Sequence, residues 1–191
     1  MNITTIYPFV LFIHILGAFG LVAALTTEAI GLRGLRRATT RAEALTWFGI
    51  SRGLVMRLAP ASLGLILITG LFMMAVSWGG RGWLIVALAS LIALGVIGAF
   101  ATGMPMASLE PALRQATGGL APDLQARLRA RGLLVSLSVR MAIVLGILFL
   151  MTVKPSAPAA VITILVAVGA GLLAGQVFSS RNQGELRSAA G

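Results

Sequence analysis

The stretch YPFVLFIHILGAFGLVAALTTEAI, residues 7–30, decides the fold class. It is longer than the about 20 mainly apolar residues with which a helix crosses the roughly 30 Å hydrocarbon core of a bilayer. Four further stretches of this kind follow, at residues 58–78, 83–102, 133–153 and 159–178. The sequence therefore predicts one all-α domain over residues 1–191, an integral membrane bundle of five transmembrane helices.

The composition of the chain is that of a membrane protein. Hydrophobic residues make up 58% of the 191 residues and charged residues only 10%, against about a quarter charged in soluble domains. Cysteine is absent from the sequence, which excludes disulfides and thiolate metal sites. The net charge of +10 lies mainly between the apolar stretches, so its expected partners are the anionic headgroups of membrane lipids and not nucleic acid.

The arginines indicate the orientation of the bundle. Twelve of them lie on one side of the predicted membrane, whereas only Arg81 and Lys154 lie on the other side. The positive-inside rule then places the N-terminus outside and the C-terminus in the cytoplasm. The twelve arginines are Arg33, Arg36, Arg37, Arg41, Arg52, Arg57, Arg114, Arg127, Arg129, Arg131, Arg181 and Arg187.

The composition, rich in Arg, Ala and Gly, is typical of a bacterium, so we expect the inner membrane of a bacterial cell.

Two of the connections on this side contain helix signals. The sequence TRAE, residues 40–43, matches a capping box, and it predicts a short interfacial helix after the first span. Pro122 and Asp123 predict a second helix start, from which the helix runs without a break into the fourth span. Gly171 and Gly175 in the fifth span are expected to pack within the bundle rather than to form a dimer interface.

The only histidine, His14, lies in the first span. It shares one helical face with Gly17, Leu21 and Glu28, because these residues follow it by three, seven and fourteen positions, which are close to whole helical turns. Three interpretations stay open for it: a hydrogen bond between helices, an axial ligand of haem b, or a ligand of Cu(I). Met73, Met74 and Met151 fall in the same half of the bilayer and are the candidate thioether ligands.

Glu28 and Arg140 are charged residues inside predicted spans. Each is costly in hydrocarbon without a partner. Both lie toward the arginine-rich side, so we expect an intramembrane ion pair with added hydrogen bonds from hydroxyl groups. The candidate hydroxyls are those of Thr26, Thr27, Ser136 and Ser138.

No residue is predicted to be catalytic. The sequence has no glycine-rich loop with phosphate-binding spacing. A single histidine without cysteine also excludes a zinc hydrolase site of the usual kind.

The stretch LFIHILGAFGLVAA, residues 11–24, resembles a family of bacterial integral membrane proteins related to the membrane domain of copper resistance D. The likeness covers the first span and the layout of a short helical bundle. It implies that His14 is the polar residue of interest.

The expected function is that of a non-enzymatic structural or accessory membrane component, alone, as a homo-oligomer or with a partner subunit. Two alternatives stay open, a haem- or copper-binding membrane protein that uses His14 and a small transporter or proton-coupled channel.

Overall fold

A computed structural model describes residues 3–116 and 119–188, with side chains for residues 5–116 and 119–177. Within these residues the chain is almost entirely helical, and the only β-bridge joins Thr40 and Gly119. The α-helices are α1 (Ile3–Arg37), α2 (Arg41–Phe48), α3 (Val55–Met73), α4 (Gly82–Ile97), α5 (Met104–Gln115), α6 (Pro122–Leu128), α7 (Arg131–Val153) and α8 (Ala157–Ser188). Three π-helical segments connect some of them, π1 (Gly49–Leu54), π2 (Met74–Trp78) and π3 (Gly98–Gly103).

Five helical stretches in the described part of the chain are long and apolar enough to cross a membrane, so the protein is an all-α, multi-pass membrane protein. They are Thr5–Arg37, Arg41–Trp78, Gly82–Gln115, Pro122–Val153 and Ala157–Val177. The predicted number of spans is confirmed. The first four stretches contain between 32 and 38 residues, which corresponds to about 50 Å or more at 1.5 Å per residue. They are therefore longer than the hydrocarbon core, and they extend past it where the arginines cluster.

The helix predicted after the first span is present as α2. The Thr40 side chain accepts a hydrogen bond from the Glu43 backbone amide, and the Glu43 carboxylate accepts one from the Thr40 amide, which confirms the capping box. The structure differs at the other end, because α2 continues through π1 into α3 as one helix. Gly49 keeps a helical backbone with φ −59°, since a glycine weakens a helix without ending it.

The uninterrupted helix expected from Pro122 into the fourth span is wrong. The chain breaks between α6 and α7, where Ala130 has an extended backbone with ψ 132°. The Arg36 guanidinium donates hydrogen bonds to the carbonyl oxygens of Arg129 and Ala130, at 2.6 and 3.3 Å. Arg129 in turn donates to the carbonyl oxygen of Arg36 at 3.2 Å. A distant side chain thus satisfies the carbonyls that the break leaves free.

Small residues set the closest helix contacts. A Cβ atom placed on Gly171 would lie 2.7 Å from Cα of Val139, and one on Gly175 would lie 2.7 Å from Cα of Val135. Both glycines of the fifth span therefore pack against α7 within the bundle, as expected. On α1, Gly17 allows the same close approach to Ile66 of α3, where an added Cβ would lie 3.0 Å from the Ile66 side chain.

The two ends of the bundle are packed differently. We call the end that contains α2, α5, α6 and the arginine-bearing connections the arginine-rich end, and the end at residues 78–82 and 153–157 the opposite end. The arginine-rich end holds a large cluster of buried side chains, formed by Leu25, Leu32, Leu35, Ala38, Ala44, Phe48, Met106, Leu109, Leu113, Leu120, Leu124, Leu128, Leu133 and Leu137. The opposite end has a smaller cluster of Trp83, Ala87, Leu150 and Ala160. A cavity lies beside this smaller cluster.

Candidate functional site

The candidate site is an apolar cavity in the half of the bundle nearer the opposite end. It has a volume of about 530 Å³ and is enclosed by α1, α3, π2, α4 and α7. Phe19 and Leu71 line it and are 70% and 45% exposed on the membrane-facing surface. The cavity therefore opens sideways toward the acyl chains, and its volume lies in the range of small-molecule sites.

His14 lines this cavity and is held by α3. Its Nδ1 atom lies 2.9 Å from Oγ1 of Thr69, and the Thr69 hydroxyl donates its hydrogen to the carbonyl oxygen of Leu65 at 2.6 Å. A hydroxyl has a single hydrogen, and while that hydrogen is turned to Leu65 the Thr69 oxygen accepts from Nδ1 of His14. In this arrangement the Nε2 atom of the ring carries the lone pair.

Within the described residues the hydrogen bond to Thr69 involves Nδ1, and the His14 ring also lies close to the backbone carbonyl of Ile66. Gly70 keeps the space beside the ring open, because a Cβ atom there would lie 3.3 Å from Cε1 of His14. With Nδ1 donating to Thr69, the site offers the lone pair of Nε2 inside an apolar cavity. A neutral imidazole in this tautomer can ligate iron or copper, or accept a hydrogen bond.

The three methionines predicted as candidate ligands line the same cavity. Met73 and Met74 come from the end of α3 and the start of π2, and Met151 comes from α7. Met106, by contrast, is buried in the cluster at the arginine-rich end. The structure thus brings His14 and the three thioether side chains to one cavity, and ligation by any of them stays a prediction.

Aromatic and cationic side chains lie at the end of the cavity nearest the opposite end of the bundle, which we call its mouth. The indole of Trp78 donates a hydrogen bond to the hydroxyl of Tyr7 at 3.0 Å. Nζ of Lys154 lies 4.2 Å from the centre of the Trp78 ring, and the Arg81 guanidinium lies 5.3 Å from it. Lys154 therefore lines this part of the cavity and Arg81 lies beside it on Trp78, where the two cations attract anionic groups.

The second predicted site residues, Glu28 and Arg140, form a buried ion pair. Glu28 is 3% and Arg140 4% exposed. Nη1 of Arg140 donates to one carboxylate oxygen at 2.9 Å, and Nη2 donates to the other. Such a two-pronged contact matches the planar guanidinium to the carboxylate. The predicted pair is therefore present, and it joins α1 to α7.

The hydroxyl groups around the pair differ from those expected. Thr102, in π3, accepts a hydrogen bond from Nη2 of Arg140 at 3.0 Å. Ser136 lies 2.9 Å from the Thr102 hydroxyl, so it contacts the pair only through Thr102. Thr27 donates to the carbonyl oxygen of Ala23 in its own helix instead. Sequence reasoning missed Thr102, and the only signal was a hydroxyl at the end of an apolar stretch.

Comparison with protein-family models, with curated proteins and with solved structures gives no match. The described residues contain no group of three or more His, Cys, Asp or Glu side chains placed to hold a metal ion. The buried pair lines neither the cavity at His14 nor a second cavity at the arginine-rich end. The chemistry available to a ligand at the cavity is therefore one imidazole nitrogen, three thioethers and the cations at the mouth.

Proposed function

We propose that the protein is a non-enzymatic integral membrane protein that binds haem in the apolar cavity, with Nε2 of His14 as an axial ligand. The observation that carries this proposal is the contact of Nδ1 with Thr69 at the wall of the cavity, because a donor at Nδ1 leaves the lone pair on Nε2. A protein haem ligand of this kind normally has its other ring nitrogen held by a hydrogen bond.

The shape and charge of the cavity support haem. Haem is an apolar macrocycle with two carboxylates on one edge. The cavity offers apolar walls around His14, and Lys154 and Arg81 stand at its mouth. Tyr7 at the mouth and His14 are seven residues apart on α1, which corresponds to about 10 Å along the helix. The iron would thus lie inside the membrane and the carboxylates near its surface.

The location and orientation belong to the same proposal. We place the protein in the bacterial inner membrane with its arginine-rich end in the cytoplasm, on the strength of the arginine distribution. The cavity mouth then faces the outer side.

The test is the absorbance of the full chain, expressed with a haem supply and purified in detergent. We expect a Soret band that is lost in His14→Ala and kept in Phe12→Ala, a matched change on the exposed face of the same helix. Thr69→Val removes only the partner of Nδ1, so it should keep the band and weaken haem binding about 10-fold or more. A folded wild-type chain without a Soret band would overturn the proposal.

Copper is the second candidate, because three thioethers line the cavity together with His14. Imidazole and thioether groups suit Cu(I). Elemental analysis separates the two candidates: replacing Met73, Met74 and Met151 by Leu should remove bound copper, whereas a haem held by His14 would remain. If the folded chain binds neither haem nor copper, the remaining interpretation is a structural or accessory role in the membrane.

A further inference from the structure

A second cavity lies at the arginine-rich end, on the far side of the bundle from His14. It has a volume of about 470 Å³ between the end of α1 and the start of α2. Its wall carries Arg33, Arg37, Glu43 and Trp47, together with Ile30. Neither the haem nor the copper proposal uses these residues.

Three hydrogen-bond donors at this cavity lack acceptors. Arg33 and Arg37 are one helical turn apart on α1, both are exposed, and neither has a hydrogen bond or ion pair within the described part of the chain. The Trp47 indole likewise donates no hydrogen bond there. Its ring packs against Gly34, where any side chain would collide with it. Gly34 therefore holds the indole flat on α1 beside the two guanidinium groups.

The one carboxylate at this cavity is already engaged. Oε2 of Glu43 accepts hydrogen bonds from the backbone amides of Thr39 at 3.0 Å and Thr40 at 3.4 Å. It also accepts one from the Thr39 hydroxyl at 3.3 Å. Glu43 therefore serves the start of α2, and it forms no ion pair with either arginine within the described residues. The cavity keeps an excess of positive charge.

An apolar side chain borders the same cavity toward the membrane. Ile30 is 51% exposed and ends the apolar stretch of the first span. The order along α1 is thus apolar surface, then two guanidinium groups one turn apart, with an indole beside them. This order matches a phospholipid, whose acyl chains lie next to its phosphate group, better than it matches a free anion in water.

We propose that this cavity binds the phosphate group of one anionic phospholipid, with Arg33, Arg37 and the Trp47 indole as donors and with Ile30 against its acyl chains. Two guanidinium groups one turn apart fit a phosphodiester oxygen each. The site is independent of any ligand at His14.

Native mass spectrometry of the full chain in detergent tests the site. With dioleoyl phosphatidylglycerol added, we expect one retained lipid adduct, and dioleoyl phosphatidylcholine should be retained less. Changing Arg33 and Arg37 together to Gln should weaken phosphatidylglycerol binding about 25-fold, since each lost charged hydrogen bond to the phosphate costs roughly 5-fold. The matched control changes Arg57 and Arg127 to Gln, which removes the same charge from the same end and should alter binding less than about 2-fold.

Further measurements test the Trp47 donor and the identity of the ligand. Trp47→Phe retains the ring on Gly34 but removes its donor, so it should weaken binding a few-fold at unchanged thermal stability. Equal losses in the two double variants would overturn the site in favour of diffuse attraction between charges. Displacement of the lipid by millimolar inorganic phosphate would show a soluble anion to be the ligand and would also overturn the phospholipid assignment.

Discussion

The two ends of this molecule are built from similar helices, but the side chains between those helices are packed differently. Six side chains are the largest fully buried ones among the residues whose side chains the structure describes. Five of them, Leu25, Leu32, Leu35, Leu113 and Leu128, belong to the cluster at the arginine-rich end, and the sixth, Leu150, belongs to the opposite end. The half of the bundle at the opposite end contains the cavity of about 530 Å³.

The difference follows from the solvent around each region. Where the helices extend past the bilayer, water drives leucine side chains together as in a soluble protein. Inside the bilayer the lipid is as apolar as leucine, so no such force closes a gap between helices. There the contacts depend on small residues and on hydrogen bonds between polar groups. A membrane-embedded cavity that opens toward lipid therefore costs little.

The largest expected effect concerns the ion pair between these two regions. Glu28→Ala or Arg140→Ala alone leaves a buried charge without a partner, so each should lower the free energy of unfolding by about 3–5 kcal/mol. The double variant should cost less than the sum of the two. Chemical unfolding in detergent measures the cycle, and strict additivity would show that the two residues act independently.

A smaller effect is expected at the arginine-rich end. Arg36→Met removes the donor to the carbonyl oxygens of Arg129 and Ala130, which then lose a buried partner. We expect a loss of about 1–3 kcal/mol in the free energy of unfolding. Arg57→Gln, at an exposed position, is the control and should change it by less than about 0.5 kcal/mol. Equal values for both variants would contradict the role of Arg36 in closing this end.

The smallest effect is expected at the cavity. Thr69→Val removes the hydrogen bond from His14, and such bonds between helices in a bilayer are worth about 0.6 kcal/mol. Thr152→Val is the matched control, because that hydroxyl contacts only carbonyls of its own helix. If Thr69→Val costs as much as Arg36→Met in the same unfolding measurement, the two ends do not differ in the way the packing indicates.

The sequence predicts the parts of the structure whose cause is local or costly. Five apolar stretches are enough to predict the spans, and two charges inside them are enough to predict the pair of Glu28 and Arg140, since neither is tolerated alone. The capping box at Thr40 is visible in four residues. An alternative structure that exposed the apolar stretches to water or left one of the two charges alone in the bilayer would cost much free energy.

The features that were missed depend on residues distant in the chain. The break at Ala130 has no proline, and the carbonyl groups that it leaves free are satisfied by Arg36, 94 residues earlier. Thr102 reaches the ion pair from a π-helical segment, which shifts the direction of its side chain away from that of a regular α-helix. Thr69 is one hydroxyl among many in apolar helices. Only the packing shows that it contacts Nδ1 of His14.

The distance along the chain between Glu28 and Arg140 has a consequence during synthesis. They are 112 residues apart, and at roughly 5–20 residues per second the ribosome needs about 6 to 22 s to pass from one to the other. During this interval the first span is complete while the carboxylate of Glu28 still lacks its guanidinium. A chain that stops before the fourth span keeps an unpaired acid at the membrane, so an unfinished molecule differs from a finished one by an exposed charge.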